Sequence, residues 1–434
     1  MTESRVASAV PEWGPLETPG AGTALTLSRG ALQAAIDLLL AAGGTAARSH
    51  HAYMEFRRNG MKELGSMLAA FLPEAVSKPV FSRSDLEEFA TGSISRCFGP
   101  EFGIFEGRRY PRIPNGKLLL MDRVTSIRGE RRRLEAGSSI ETEFDVPPDA
   151  WFYQPEIPDL PPYSILMEMA LQPCGLLSAY LGSSFLLPVT DLYFRNLDGS
   201  AELLARPDLR GQTVAGKAEL LSSTVSGSTI IQKYRFTLSC SGQTFYAGEA
   251  VFGYFSAAGM ANQVGLDSQK PAASPIWDGL SANAGRTKRY SRAPFRFLDE
   301  VAVEAAGGDH HLGRVSARQK INPGDWFYRC HFHQDAVMPG SLGVEAVIQA
   351  LTALYSPAAP AAPAEQSKIS FPKGLPFSWK YRGQILPTHA EMTLSAEITS
   401  RASVPEGEQI TADASVWVDN TRIYQLTNLG LILK

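Results

Sequence analysis

Cysteine is scarce in this 434-residue chain, and Cys97, Cys174, Cys240 and Cys330 stand far apart, with neither a CxxC pair nor the spacing of a disulfide framework. This excludes a disulfide-built scaffold and a cysteine zinc site, and it fits a reducing cytoplasm. Excess charge is lacking too. With 41 Lys and Arg against 44 Asp and Glu, the formal net charge of -3 gives nucleic acid no electrostatic reason to bind. No run of about 18 apolar residues occurs, so no membrane-spanning helix is expected. The opening "MTESRVASAVPEWGPLETPGAGT" has no basic start followed by an apolar stretch, and no signal peptide is expected.

What is present is ordinary for a folded protein: 44% hydrophobic and 20% charged residues, in a length that argues for two or three domains. Residues 1–79 read as a leader. Its first 28 positions are rich in Pro, Gly, Ser and Thr, and apolar spacing of three and four from Ser28 to about Leu72 predicts helices. His50 and His51 fall there as neighbours about 100° apart on a helix, a poor arrangement for sharing a ligand. Beyond Pro79 the segments "SIETEFDV", "DLYFRNLD", "TVAGKAELLSS" and "IIQKYRFTLSCSGQTFYAGEAVFGYF" read as strands, the last a hairpin turning at Gly242. "ITADASVWVDNTRIYQLTNLGLIL" repeats that design near the end. Small, polar residues with proline at 256–285 read as a linker between halves at 80–255 and 286–434.

The halves are copies. "DAWFY" and "GDWFY" place Trp151 and Trp326 175 residues apart, "SILMEMALQ" and "SLGVEAVIQ" are offset by 177, and Tyr246 and Tyr424 by 178. Each half reads as an extended stretch ending in Trp-Phe-Tyr, a helix apolar almost all round, and several antiparallel strands. An all-round apolar helix must be wrapped on several sides. The expected fold is therefore α+β: two central helices wrapped by a continuous antiparallel sheet, a double hotdog.

"CHFHQDAVMPGSLGVEAVIQ" resembles the active-site segment of bacterial β-hydroxyacyl carrier-protein dehydratases, the β-hydroxydecanoyl type above all, and the last strands resemble that family's own. With "FATGSISRCFGPEFG" and "PPYSILMEMALQPCGLLSAYLGS" ahead of it, residues 80–434 are similar to the dehydratase regions of polyunsaturated fatty acid synthases and iterative polyketide megasynthases. The resemblance implies dehydration of an acyl thioester carried on the phosphopantetheine of an acyl carrier protein, with no other cofactor, inside or beside a larger synthase. It leaves a homodimer and a trans-2 to cis-3 isomerisation open, since Glu345 stands where isomerising relatives usually have Asp.

Dehydration needs a base for the α-proton, an acid for the departing hydroxyl, and donors for the enolate oxygen. His331 suits the base, because neutral imidazole is available near pH 7. Val337 to Gly340 lead into a helix whose first N–H groups would meet the thioester carbonyl, with Gly340 allowing close approach. Glu168 and Glu345, both among apolar helix residues, suit the acid, and Gln172 and Gln349, four residues on, are placed to orient them. In the related dimers the base of one subunit faces the acid of the other. By that resemblance His331 should face Glu168, while Glu345 belongs to a degenerate mirror site where Pro155 and Glu156 replace the histidine and Tyr163 replaces Gly340. Cys330 adjoins the base and is expected to line the site. His333, two positions on, would share His331's side if the segment is a regular strand and would otherwise face solvent; His331, His333 and Asp335 are not expected to hold a metal, because the Met-Pro-Gly turn and the helix that follow would have no role in such a site. The runs "GRRYPR" and "RGERRR" are candidates for carrier docking. A hotdog thioesterase, or a hotdog that only binds carrier protein, are the competing classes.

Overall fold

The computed structural model describes positions 30 and 34 and residues 79–434 apart from 155–156, 158–159, 269–284, 289–293 and 355–368. The segment expected to form the leader helices with His50 and His51, most of the 256–285 linker, Pro155, Glu156 and residues 356–367 lie outside the described residues. The chain divides into two units, Met1–Ser77 and Lys78–Lys434, and both hotdog copies lie in the second.

That unit opens with two short helices, α1 (Arg83–Thr91) and α2 (Ile94–Phe98). Ser82 and Asp85 close a capping box on α1 that satisfies its first N–H groups. The first copy holds β1 (Arg123–Arg128), β2 (Ser139–Asp145), helix α3 (Tyr163–Tyr180), β3 (Leu192–Leu203), β4 (Thr213–Ser226), β5 (Thr229–Cys240) and β6 (Gln243–Ser256). A short helix α4 (Ala257–Ala261) and strand β7 (Gly285–Lys288) lead to β8 (Glu300–Glu304), β9 (Arg314–Lys320), a one-turn helix α5 (Phe327–Cys330) and helix α6 (Gly340–Thr352). The second copy ends with β10 (Ile369–Ser370), β11 (Phe377–Tyr381), β12 (Glu391–Val404), β13 (Gly407–Val418) and β14 (Thr421–Leu433).

The strands form one sheet in the order β1-β2-β4-β5-β6-β3-β11-β14-β13-β12-β9-β8-β7. Read from either end toward the middle, the two copies run in the same order, so the repeat in the sequence is a repeat in space. They join where β3 pairs antiparallel with β11, Phe377 opposite Ala201 and Lys380 opposite Asp198. The expected continuous sheet is observed. Two of its hairpin turns run through positive φ, with Gly242 (77°) after Ser241 (50°) between β5 and β6, and Asp419 (46°) and Asn420 (68°) between β13 and β14; Gly, Asp and Asn adopt that region readily. Helices α3 and α6 lie in the core, and nearly every residue of each is buried, which is why they are apolar all round. Among the described residues no helix is long and apolar enough to cross a membrane.

One element differs from expectation. The run from Trp326 is a helical turn, with the Tyr328 N–H bonded to the Asp325 carbonyl (3.2 Å). Tertiary contacts outweigh the strand preference of an aromatic run: the Trp326 indole donates to the Pro294 carbonyl (2.8 Å), and the Lys117 ammonium lies 3.8 Å from the centre of its ring system.

Candidate active site

The two central helices pack together, and each buried carboxyl is met by a serine of the opposite helix. Ser341 on α6 donates to Glu168 Oε1 (2.6 Å), and Ser164 on α3 donates to Glu345 Oε2 (3.1 Å). Each serine precedes its own helix's glutamate by four residues and each glutamine follows by four, so one helical face carries Ser, Glu and Gln in both copies. The serines were legible as part of this repeated pattern, although the carboxyl they serve is on the other helix.

The two glutamates then diverge. Gln172 donates to Glu168 Oε2 (3.1 Å) and to the Leu118 carbonyl (2.8 Å), and its own oxygen accepts from the Leu120 N–H (3.0 Å). Gln349 donates instead to the Phe295 carbonyl (2.7 Å). Glu168 thus has the glutamine orientation expected for an acid. Burial raises the pKa of Glu168 against the pull of the Ser341 and Gln172 bonds, and burial takes Glu345 up to about 7.

His331 follows the turn of α5. Its Nδ1 lies 3.0 Å from the Val337 carbonyl oxygen, which can only accept, so Nδ1 carries the proton and Nε2 keeps its lone pair. Burial lowers the imidazole pKa to about 3, with the Val337 bond acting the other way. The loop is closed by reciprocal bonds between Phe332 and Asp335 (2.8 and 3.1 Å) and by the Val337 N–H on the His331 carbonyl (2.8 Å). Both of its ends are held by the first copy. Asn115 donates twice to the Cys330 carbonyl, through its backbone N–H (2.9 Å) and its side chain (3.1 Å). Arg195 on β3 grips both Asp335 oxygens at 2.8 Å and is itself braced by Gln384. The copy that carries Glu168 therefore also anchors the histidine loop.

Glu168, Gln172, His331, Val337, Gly340 and Ser341 line a single cavity, extended by apolar Leu171, Phe194, Phe252 and Met338. Helix α6 opens on it with no side-chain cap; the Leu342 N–H bonds to the Pro339 carbonyl (3.0 Å), and ahead of it Gly340 and Ser341 begin the helix at the cavity wall. A Cβ at Gly340 would fall 2.5 Å from Tyr381 Cε2, so only glycine fits between that ring and the cavity. We expect Gly340→Val to reduce turnover at this site at least about 10²-fold by displacing the helix start; unchanged steady-state kinetics would remove Gly340 from the site.

Glu345 does not line this cavity. Where the mirror site would begin, the Tyr163 ring is buried edge-on against Phe371 and Phe377, both 5.0 Å away between centroids. One further expectation, for Cys330, is corrected, and the position of His333 is decided. Cys330 is not a lining residue; its sulfur faces Gly116, and burial raises its thiol pKa, the opposite of an activated nucleophile. His333 does not line the cavity either, because the chain turns between Phe332 and Asp335 and the alternation of an extended strand is lost. Asp335 is committed to Arg195, and among the described residues no three His, Cys, Asp or Glu gather as a metal site. Much of the basic runs is spent internally: Arg108 on Asp191, Arg109 on Asp335, Arg131 on Glu101 and Arg133 on Glu130.

The chain is similar to several known proteins. Residues 290–427 match the FabA-like domain family. The chain is 33% identical over 379 residues to a subunit of the polyunsaturated fatty acid synthase of Thraustochytrium sp., a match covering 80% of this chain and 25% of that protein, so the chain spans about a quarter of its relative. Among solved structures it is similar to an acyl-ACP thioesterase from Bacteroides thetaiotaomicron (TM-score 0.37, 12% identity, 68% of this chain and 98% of that one). It is also similar to a MaoC-like dehydratase (TM-score 0.35, 11% identity, 63% and 84%). Residues 290–427, which hold the His331 loop, the Gly340 turn and the helix of Glu345, match the FabA-like domain family and make up most of the second of the two copies that share the continuous sheet.

Proposed function

We propose that the chain removes water from β-hydroxyacyl thioesters held on the phosphopantetheine of an acyl carrier protein, giving trans-2-enoyl thioesters in fatty acid or polyketide synthesis. The observation that carries this is one cavity lined by an imidazole and a carboxyl that burial drives toward their neutral forms, each from a different copy, beside an uncapped helix start. His331 Nε2 takes the α-proton. The electron pair moves onto the thioester oxygen, which the Gly340 end of α6 stabilises, and returns as the β-carbon loses its hydroxyl. Glu168 supplies the proton with which the hydroxyl leaves as water. This chemistry uses no cofactor beyond the pantetheine arm. The likeness to part of a synthase supports a carrier protein and neighbouring synthase domains as partners. The direct test is incubation of β-hydroxyacyl pantetheine thioesters of several lengths with mass detection. Loss of 18 mass units (about one water) supports the reading, and release of free acid would instead mark a thioesterase.

The pKa directions set the pH dependence. Burial depresses His331 to about 3, so lowering pH does not protonate it until well below neutrality. Glu168 is raised, so its acid form is present below its folded pKa and is lost as pH rises through it. The kcat/KM profile is expected to be flat on the acid side down to the point where the fold fails, and to fall on the alkaline side. An acid limb near the ordinary histidine pKa of about 6.5 would contradict an enclosed imidazole.

A further inference from the structure

Strand β11 alternates buried and exposed residues, and its last inward position is Tyr381, 5% exposed. The ring packs against Tyr424 across the strand pair, with centroids 4.3 Å apart, and over the start of α6, where it fills the space a Gly340 side chain would need. Its hydroxyl is buried with no hydrogen-bond partner among the described residues. The other buried side chains with an unpartnered polar atom, such as Tyr110, Tyr153, Tyr246 and Trp417, lie away from the cavity; Tyr381 lines it. A phenylalanine would fill the same volume without burying an unpaired hydroxyl, a feature that costs stability unless something else accepts the bond.

From this geometry we infer that Tyr381 is a catalytic residue whose hydroxyl donates to the thioester carbonyl oxygen, completing with the first N–H of α6 a two-donor site for the enolate. This rests on the dehydration reading and adds a donor to it. The phenol suits the task. Burial, then Tyr424, then Glu168 hold its pKa well above the ordinary value, so it stays protonated and able to donate while charge builds on the oxygen. The hydroxyl keeps its proton throughout: the α-proton goes to His331, Glu168 protonates the leaving hydroxyl, and Tyr381 contributes only a hydrogen bond that strengthens as the carbonyl becomes an enolate.

The test is Tyr381→Phe, assayed beside the wild type and His331→Ala on one β-hydroxyacyl pantetheine thioester, with thermal unfolding of all three. Removing one such donor is expected to lower kcat about 10²-fold with little change in KM. Tm should stay level or rise, because the unpaired hydroxyl is gone. A structural role predicts the reverse pattern, a lower Tm with normal kcat, and either normal kcat or a lowered Tm would overturn the assignment. A wild type without dehydration would instead sink the proposed function, so the two failures are distinguishable. Tyr246→Phe, at a buried tyrosine whose unpartnered hydroxyl lies away from the cavity, serves as the control for losing such a hydroxyl, with binding of a saturated acyl pantetheine thioester read for both variants. Tyr381→Phe binding as the wild type does, with loss of turnover confined to it, supports the role, and equal loss of turnover in both variants refutes it.

Discussion

His331→Ala is expected to lower dehydration by about 10² to 10⁴-fold, the range for loss of a general base, while leaving the fold intact. Among the described residues the imidazole's side-chain hydrogen bond runs from Nδ1 to the Val337 carbonyl, within a loop whose other bonds are made by backbone and by Asp335. Truncation therefore removes one hydrogen bond and some packing against Phe332, whose ring centroid lies 3.6 Å away. The loop's anchors at Asn115 and Arg195 remain. A variant that folds normally and retains more than about a tenth of wild-type kcat would move the base elsewhere.

Glu168→Gln is expected to be comparably severe. The amide keeps the shape and the buried site of the carboxyl, and the Ser341 hydroxyl can rotate to accept from it, so the substitution costs little in packing. It removes the one thing required, a proton that can be given up to a leaving hydroxyl. Loss of about 10²-fold or more in kcat follows, together with loss of the alkaline limb that Glu168 imposes on the pH profile.

Much of this was legible in the sequence, for physical reasons that differ by element. Helices α3 and α6 announce themselves because a helix enclosed by sheet must be apolar on every face, and the hairpins because Gly, Asp and Asn accept positive φ. Glu168, Gln172, His331, Val337 and Gly340 meet in one cavity because the repeat that links the copies in sequence also relates them in space. The tryptophan-containing turn before His331 was hidden, since its conformation is set by Pro294 and Lys117, which are distant in the chain. The Arg195–Asp335 grip was hidden for the same reason: its partners are 140 residues apart and no periodicity relates them. Tyr381 reads in sequence as one inward residue of a strand, and only the absence of a partner for its hydroxyl sets it apart. Cys330 misled because proximity in sequence to His331 says little where the chain turns sharply.

The central claim is that the two copies make one site, the base from the second and the acid from the first. Comparison of Glu168→Gln with Glu345→Gln, with His331 intact and on one β-hydroxyacyl thioester, tests it most directly. Glu345 is bonded to Ser164 outside the cavity, so its amide should change kcat by less than about tenfold, while Glu168→Gln should lose about 10²-fold or more. An inactive Glu345→Gln beside a near-normal Glu168→Gln would contradict the composite site and place acid and base in the same copy.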